Sequence, residues 1–73
     1  MQKEGFNLIQ EKIARRQSAN LEIINLLSKI VNENPELRFC QILTILELDR
    51  DKFYEESTDT LHHIKKLIAS RNF

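Results

Sequence analysis

Residues 34–46 read NPELRFCQILTIL, a stretch that holds the chain's only proline and its only cysteine. Its reading decides the fold: either a reactive site is built around Cys40, or this is the central helix of a small apolar core. Three signals at its start agree on a helix. Asn34 is among the best N-cap residues, Pro35 suits the first helical position because its missing amide hydrogen would have no partner there, and Glu36 sets a negative charge against the positive end of the dipole. These signals predict a central helix over about residues 35–47. Stepping 100° per residue puts Phe39, Ile42, Leu43 and Leu46 on one face, while Leu37, Ile45 and Leu48 fall at the back and sides. A helix apolar nearly all round is either central in its fold or shared between subunits. A chain of 73 residues has little with which to cover every side of it, so Leu37, Ile45 and Leu48 are expected at a subunit interface.

Chemistry at Cys40 has little support. A nucleophilic thiol wants a nearby base and an electropositive, partly exposed setting. One turn away lie Glu36, Leu37, Leu43 and Thr44, an acid and no base. Cys40 is therefore expected to pack as a small buried hydrophobe. Arg38 and Gln41 stand out more, as polar residues on an otherwise apolar helix. They are expected to contact a partner, the competing reading being that Arg38 pairs within the chain with Glu55 or Glu56.

Length and composition agree with a helical core that needs help. Seventy-three residues make one domain, 1–73, and so short a chain buries only about 60% of the surface exposed by its unfolded form. One cysteine excludes a disulfide within the chain, which leaves close helix packing or oligomerisation as support. Eleven basic and eleven acidic residues give a formal net charge of zero, so no field of one sign steers the molecule to nucleic acid or to an anionic membrane. The N-terminal MQKEGFNLIQEK lacks the apolar run of a signal peptide, and no segment approaches the ~20 apolar residues of a membrane span; a cytoplasmic location is expected. One glycine and one proline among abundant Leu, Ile, Glu and Lys point to helix throughout.

On the N-terminal side, the register of Phe6, Ile9, Ile13, Ile23, Leu27 and Ile30 continues through Arg16 and Asn20 as a heptad seam of about four repeats. Either one long helix covers about residues 6–33, with Asn20 fixing register against a partner, or two helices meet near QSAN with Ser18 or Asn20 as the second N-cap. Ile23, Leu27 and Ile30 on this seam join the expected oligomer interface.

On the C-terminal side, DRDKFYEESTDTL is the most polar part of the chain. Phe53 is expected to anchor back to the core with Tyr54 at the surface. Together with Glu55 and Glu56 they make an acidic and aromatic patch, a second candidate for partner binding. Ser57, Thr58 or Asp59 then caps a last helix over about residues 58–71, with Leu61, Ile64, Leu67 and Ile68 buried. Asp59 with His62 or His63 supplies two ligands on one helix, short of the three or four that a zinc site needs. No metal, cofactor or catalytic constellation is expected. Arg15, Arg16, Lys65, Lys66 and Arg71 would form a basic patch if the first and last helices lay together, as in a small helix-turn-helix regulator. The central stretch is too apolar to enter a groove, and the last helix is acidic at its start, the end that usually meets bases; nucleic acid is the lesser expectation.

The paired segments NPELRFCQIL and DKFYEESTDTL resemble small bacterial and phage-encoded helical proteins of unassigned function that share a Pro-Glu-Leu-Arg-Phe-x-Gln stretch followed by Phe-Tyr-x-Glu. The similarity covers residues 34–61, and such proteins commonly have glycine where this chain has Cys40. The resemblance implies a compact helical protein of a phage or mobile element, an inhibitor or adaptor that acts on a host protein. The expectation is thus an all-α domain, a bundle of three to four helices completed by self-association, which works without catalysis by binding itself and a host protein.

Overall fold

A computed structural model describes the backbone of residues 2–71 and the side chains of residues 8–70. Three helices follow in order: α1 over Gln2–Glu33, α2 over Phe39–Ile45 and α3 over Ser57–Arg71, with no strand among the described residues. α1 runs through QSAN without a break, since neither glycine nor proline interrupts it from Phe6 onward. Along α1 from Arg16 to Glu22, the ion-pair partners advance from Glu56 to Lys65. α1 and α3 therefore run in the same direction, and the segment between them carries the chain back.

The core is small. Ile30 of α1, Ile42 and Leu46 at α2, and Ile64 of α3 form its centre, with Ile42, Leu46 and Ile64 at 1%, 0% and 1% exposure. Ile23, Leu26, Leu27, Leu37, Leu48 and Ile68 pack around them. The body covers α1 only from Ala19 onward, every side chain from Leu8 to Ser18 being exposed. The molecule is accordingly 53 Å long and about 20 Å across, with a radius of gyration of 15.0 Å where a compact chain of this length would have roughly 11 Å.

The central helix is shorter than expected at both ends, and this changes the role of the residues beyond it. Asn34 does not start α2; it closes α1. Its backbone N–H and its side-chain Nδ2 both donate to the Ile30 carbonyl, at 3.1 and 2.9 Å. Its own carbonyl accepts the Leu37 N–H at 3.0 Å, which makes residues 34–37 a β-turn with Asn at the first position and Pro at the second, the places these residues favour. Arg38 is extended, with ψ 151°, and is the N-cap of α2. A helix begun at Pro35 would have pointed Leu37 about 140° away from Ile42; the turn swings it onto the core instead.

The C-terminal end behaves likewise. Glu47 adopts φ 58°, its N–H donates to the Thr44 carbonyl at 3.0 Å, and the Leu48 N–H reaches back to the Leu43 carbonyl at 2.8 Å. That is a Schellman motif, and it folds Leu48 back onto the core. The second apolar face expected of this helix is thus a product of extending it too far. Leu37 and Leu48 pack within their own chain, as do Ile23, Leu27 and the buried Ile30, because α3 and α2 cover that side of α1. Of the expected interface residues only Ile45, half-buried within α2, lies outside this cluster. Phe6 falls outside the described side chains.

Glu47 occupies a left-handed position that glycine fills at far lower steric cost. Its carboxylate also meets Arg50 at 3.1 Å and His63 at 3.7 Å, contacts at the surface worth little each. Glu47→Ala and Glu47→Gly lose these contacts equally, and only the glycine relieves the backbone. Urea denaturation is expected to find the glycine variant the more stable by about 1 kcal/mol, the reverse of their order inside a helix. An alanine variant as stable as the glycine one would contradict the left-handed cap.

Candidate functional site

Beyond Leu48, the chain leaves the core and forms an aromatic turn. The Glu55 N–H donates to the Lys52 carbonyl at 2.9 Å, so Phe53 and Tyr54 are the two central residues of a hydrogen-bonded β-turn. The Asp51 carboxylate accepts the Phe53 N–H at 3.3 Å and helps to set its start. The two rings meet edge to face, with centroids 4.9 Å apart and planes at 77°. Phe53 is 83% exposed and Tyr54 94%. Phe53 is therefore no anchor to the core; Leu48 has that role, and the turn is held by charge instead.

The clamp has two parts. Lys52 Nζ pairs with Glu55 Oε2 at 3.0 Å across the ends of the turn, and Glu55 Oε1 accepts the Thr60 hydroxyl of α3 at 2.6 Å. Arg16 of α1 takes Glu56 in a two-pronged grip, Nε to Oε1 at 2.8 Å and Nη2 to Oε2 at 3.1 Å, the geometry in which guanidinium and carboxylate bind best. Glu56 also accepts the Ser57 N–H at 3.1 Å, and its carbonyl takes the Asp59 and Thr60 N–H groups. The residue that opens α3 is thus Glu56, ahead of the expected Ser57, Thr58 or Asp59.

Arg16, with help from the Ser57 N–H, holds the Glu56 carboxyl down at about 2. The Thr60 hydroxyl, and after it Lys52, lowers that of Glu55 below the ordinary carboxylate range. Both groups favour the folded state when ionised. Their contribution is complete above the unfolded carboxylate range near 4.5 and fades as pH falls toward 2. The melting temperature is expected to drop between pH 5 and pH 2, and Glu56→Gln to drop less over that interval, as thermal melts by circular dichroism would record. An unchanged pH slope in the variant would remove Glu56 from the clamp.

A groove of about 370 Å³ runs beside the turn, lined by Arg16, Phe53, Tyr54, Glu55, Glu56 and Ser57. Four of the six residues expected to bind a partner thus come together: Phe53, Tyr54, Glu55 and Glu56. Their roles divide, since the two carboxylates are engaged inside the chain and the two rings are not. Arg38 and Gln41 do not line the groove. The Gln41 side chain accepts the Arg38 N–H at 2.8 Å, half of a capping box whose other half arginine, with donors only, cannot make. Arg38 has no ion pair among the described residues; Arg16 holds Glu56 in its place. Arg16, Lys52 and Thr60 are what the sequence did not disclose. Lys52 and Glu55 stand three apart, a usable signal, but nothing local connects Arg16 to a residue forty positions on.

Cys40 is exposed, contrary to expectation, because a helix that starts at Phe39 and buries Ile42 and Leu46 turns position 40 outward. First and last helices do lie together, yet three cations of the basic patch are paired: Arg15 faces Glu11 at 3.9 Å, Arg16 faces Glu56, and Lys65 faces Glu22. The side chain of Arg71 lies outside the described residues. Among the described residues, no three His, Cys, Asp or Glu gather closely enough to hold a metal ion, and no helix is long and apolar enough to cross a membrane. No family model, curated protein or solved structure matches this chain.

Proposed function

We propose that this protein is a small non-enzymatic interaction module of the cytoplasm that presents Phe53 and Tyr54 to a partner protein, and that self-association completes its helical bundle. One observation carries the reading: two adjacent aromatic rings, 83% and 94% exposed, stand on a turn that an arginine, a lysine and a threonine hold in place. Exposing two aromatic rings to water is unfavourable, and clamping them adds nothing to the core. Aromatic side chains held in advance in one geometry lose little freedom on binding, which makes them effective anchors. In the setting that the resemblance implies, the partner is a host protein, and the module is a phage or mobile-element inhibitor or adaptor. Nucleic acid recognition has less support, since Arg15, Arg16 and Lys65 face carboxylates.

The test is affinity capture from the native host with the tagged protein beside its Tyr54→Ala variant. The expected result is a partner retained by the first and lost by the second, with equal helical content by circular dichroism. A partner list unchanged by the substitution would overturn the assignment of the aromatic turn.

A further inference from the structure

α1 carries a second apolar face that no part of the chain covers. Its core face holds Ala19, Ile23, Leu26 and Ile30. About 100° round the helix lies another stripe, Ile9, Ile13, Ile24 and Val31, whose side chains are all exposed, Ile24 at 58%. Gln17 and Asn20 fill the stripe between Ile13 and Ile24. From Ile9 to Asn32, an arc of the helix some 220° wide that contains this stripe holds no charged residue, Arg16 standing at its edge beside Ile9. Glu11, Lys12, Arg15, Arg16, Glu22 and Lys29 all fall in the remaining part of the circumference, in a chain of which 30% is charged. Depletion of charge around an exposed apolar line is the composition of an interface core.

Its occupant, we infer, is a second copy of the same chain, with the two α1 helices packed antiparallel about a two-fold axis between Ser18 and Ala19. This rests on the self-association proposed above and assigns the face and the direction. Three observations select this occupant. A face without charge meets its own copy with no like-charge repulsion, the condition an isologous contact imposes. Ile13, Gln17, Asn20, Ile24 and Val31 follow the alternating four-and-three spacing of a coiled-coil seam, whose one remaining position, Leu27, is half-buried against the chain's own core. In antiparallel register, Ile13 of one copy faces Ile24 of the other on each side of the axis and Gln17 faces Asn20, so the central isoleucines meet each other and the two amides can exchange hydrogen bonds, while Ile9 falls opposite Ser28.

Area gives the third. The chain exposes 6065 Å², whereas a folded monomer of 8.7 kDa exposes roughly 4,700 Å². The stripe's apolar side chains and Leu21 at its border would remove on the order of 1,000 Å² from water over two copies, the lower bound for a specific interface. The antiparallel direction also lays the bare N-terminal half of each α1 along the half that its partner's body supports, whereas a parallel pair would leave both bare halves together at one end.

Light scattering with size exclusion at about 50 µM is expected to give twice the 8.7 kDa chain mass for the unaltered protein. Ile24→Lys and Ile13→Lys should each give the single-chain mass with helical content kept. Both side chains lie outside the core, and Ile13 lies on the part of α1 that the body leaves bare, so that variant keeps the test sound if the other fails to fold. A single-chain mass for the unaltered protein would overturn self-association itself; a double mass kept by both lysine variants would overturn only this face. Direction is read from cysteines in a Cys40→Ser background. Ile13→Cys mixed with Ile24→Cys should oxidise to a mixed covalent dimer, and disulfide formation by Ile13→Cys alone instead would overturn the antiparallel arrangement.

Discussion

Leu46→Ala is expected to leave much of the protein unfolded at room temperature. Leu46 has no exposed surface and meets Ile30, Ile42 and Ile64 at the centre of the core. Cutting a buried leucine to alanine costs about 2–5 kcal/mol, through lost transfer energy and the cavity left behind. A single core in a chain of this size supplies only about 3–5 kcal/mol in total, so one substitution cancels most of it. A second effect adds to the first. Leu46 is the C-cap of α2 and precedes the left-handed Glu47, so loosening it also loosens the reversal that returns Leu48 to the core. Thermal melts should show a midpoint lowered by more than 10 °C, since 1 kcal/mol moves a domain of this length by about 4–8 °C. A shift under 5 °C would mean that the core is centred elsewhere. Leu8→Ala, at an exposed position well round α1 from the Ile13–Ile24 stripe, serves as the control and should move the midpoint hardly at all.

The second large effect belongs to binding and spares the fold. Removing the ring of Phe53 or of Tyr54 is expected to weaken the partner complex by about 2 kcal/mol each, close to thirty-fold in Kd, the size typical of an aromatic hot spot. Stability should stay within about 0.5 kcal/mol, because neither ring touches the core. Arg16→Ala tests the clamp separately. It leaves both rings in place but releases Glu56, and if the turn is held in advance for binding, affinity should fall although no contact residue has changed. Titration calorimetry with the captured partner would separate these outcomes: an Arg16→Ala complex as tight as the unaltered one would show that the turn needs no clamp.

The helical class of this protein is written in its composition and spacing, because helix propensity and the period of apolar residues act within a few positions of each other. α3, its buried Ile64 and its half-buried Ile68 are legible in that way, as is the aromatic pair next to its acids. Asn34-Pro35-Glu36 shows where such reading stops. The same three residues suit the first turn of a helix and a β-turn after one, and the local energies of these two states differ too little to choose. The choice was made by Leu37 and Leu48, which reach the core only if α2 is cut to seven residues with a reversal at each end.

By itself, then, the sequence determined that the chain is helical, that its last helix buries one face, and that Phe53 and Tyr54 sit among acids. Only the tertiary structure decided that α1 lies parallel to α3, that Arg16 rather than Arg38 holds Glu56, and that the uncovered apolar face belongs to α1 rather than to α2. The physical reason is one of range. Propensity, capping and periodicity are set by neighbours along the chain, whereas an ion pair across forty residues, or the side of a helix left bare, depends on which elements have already been packed against which.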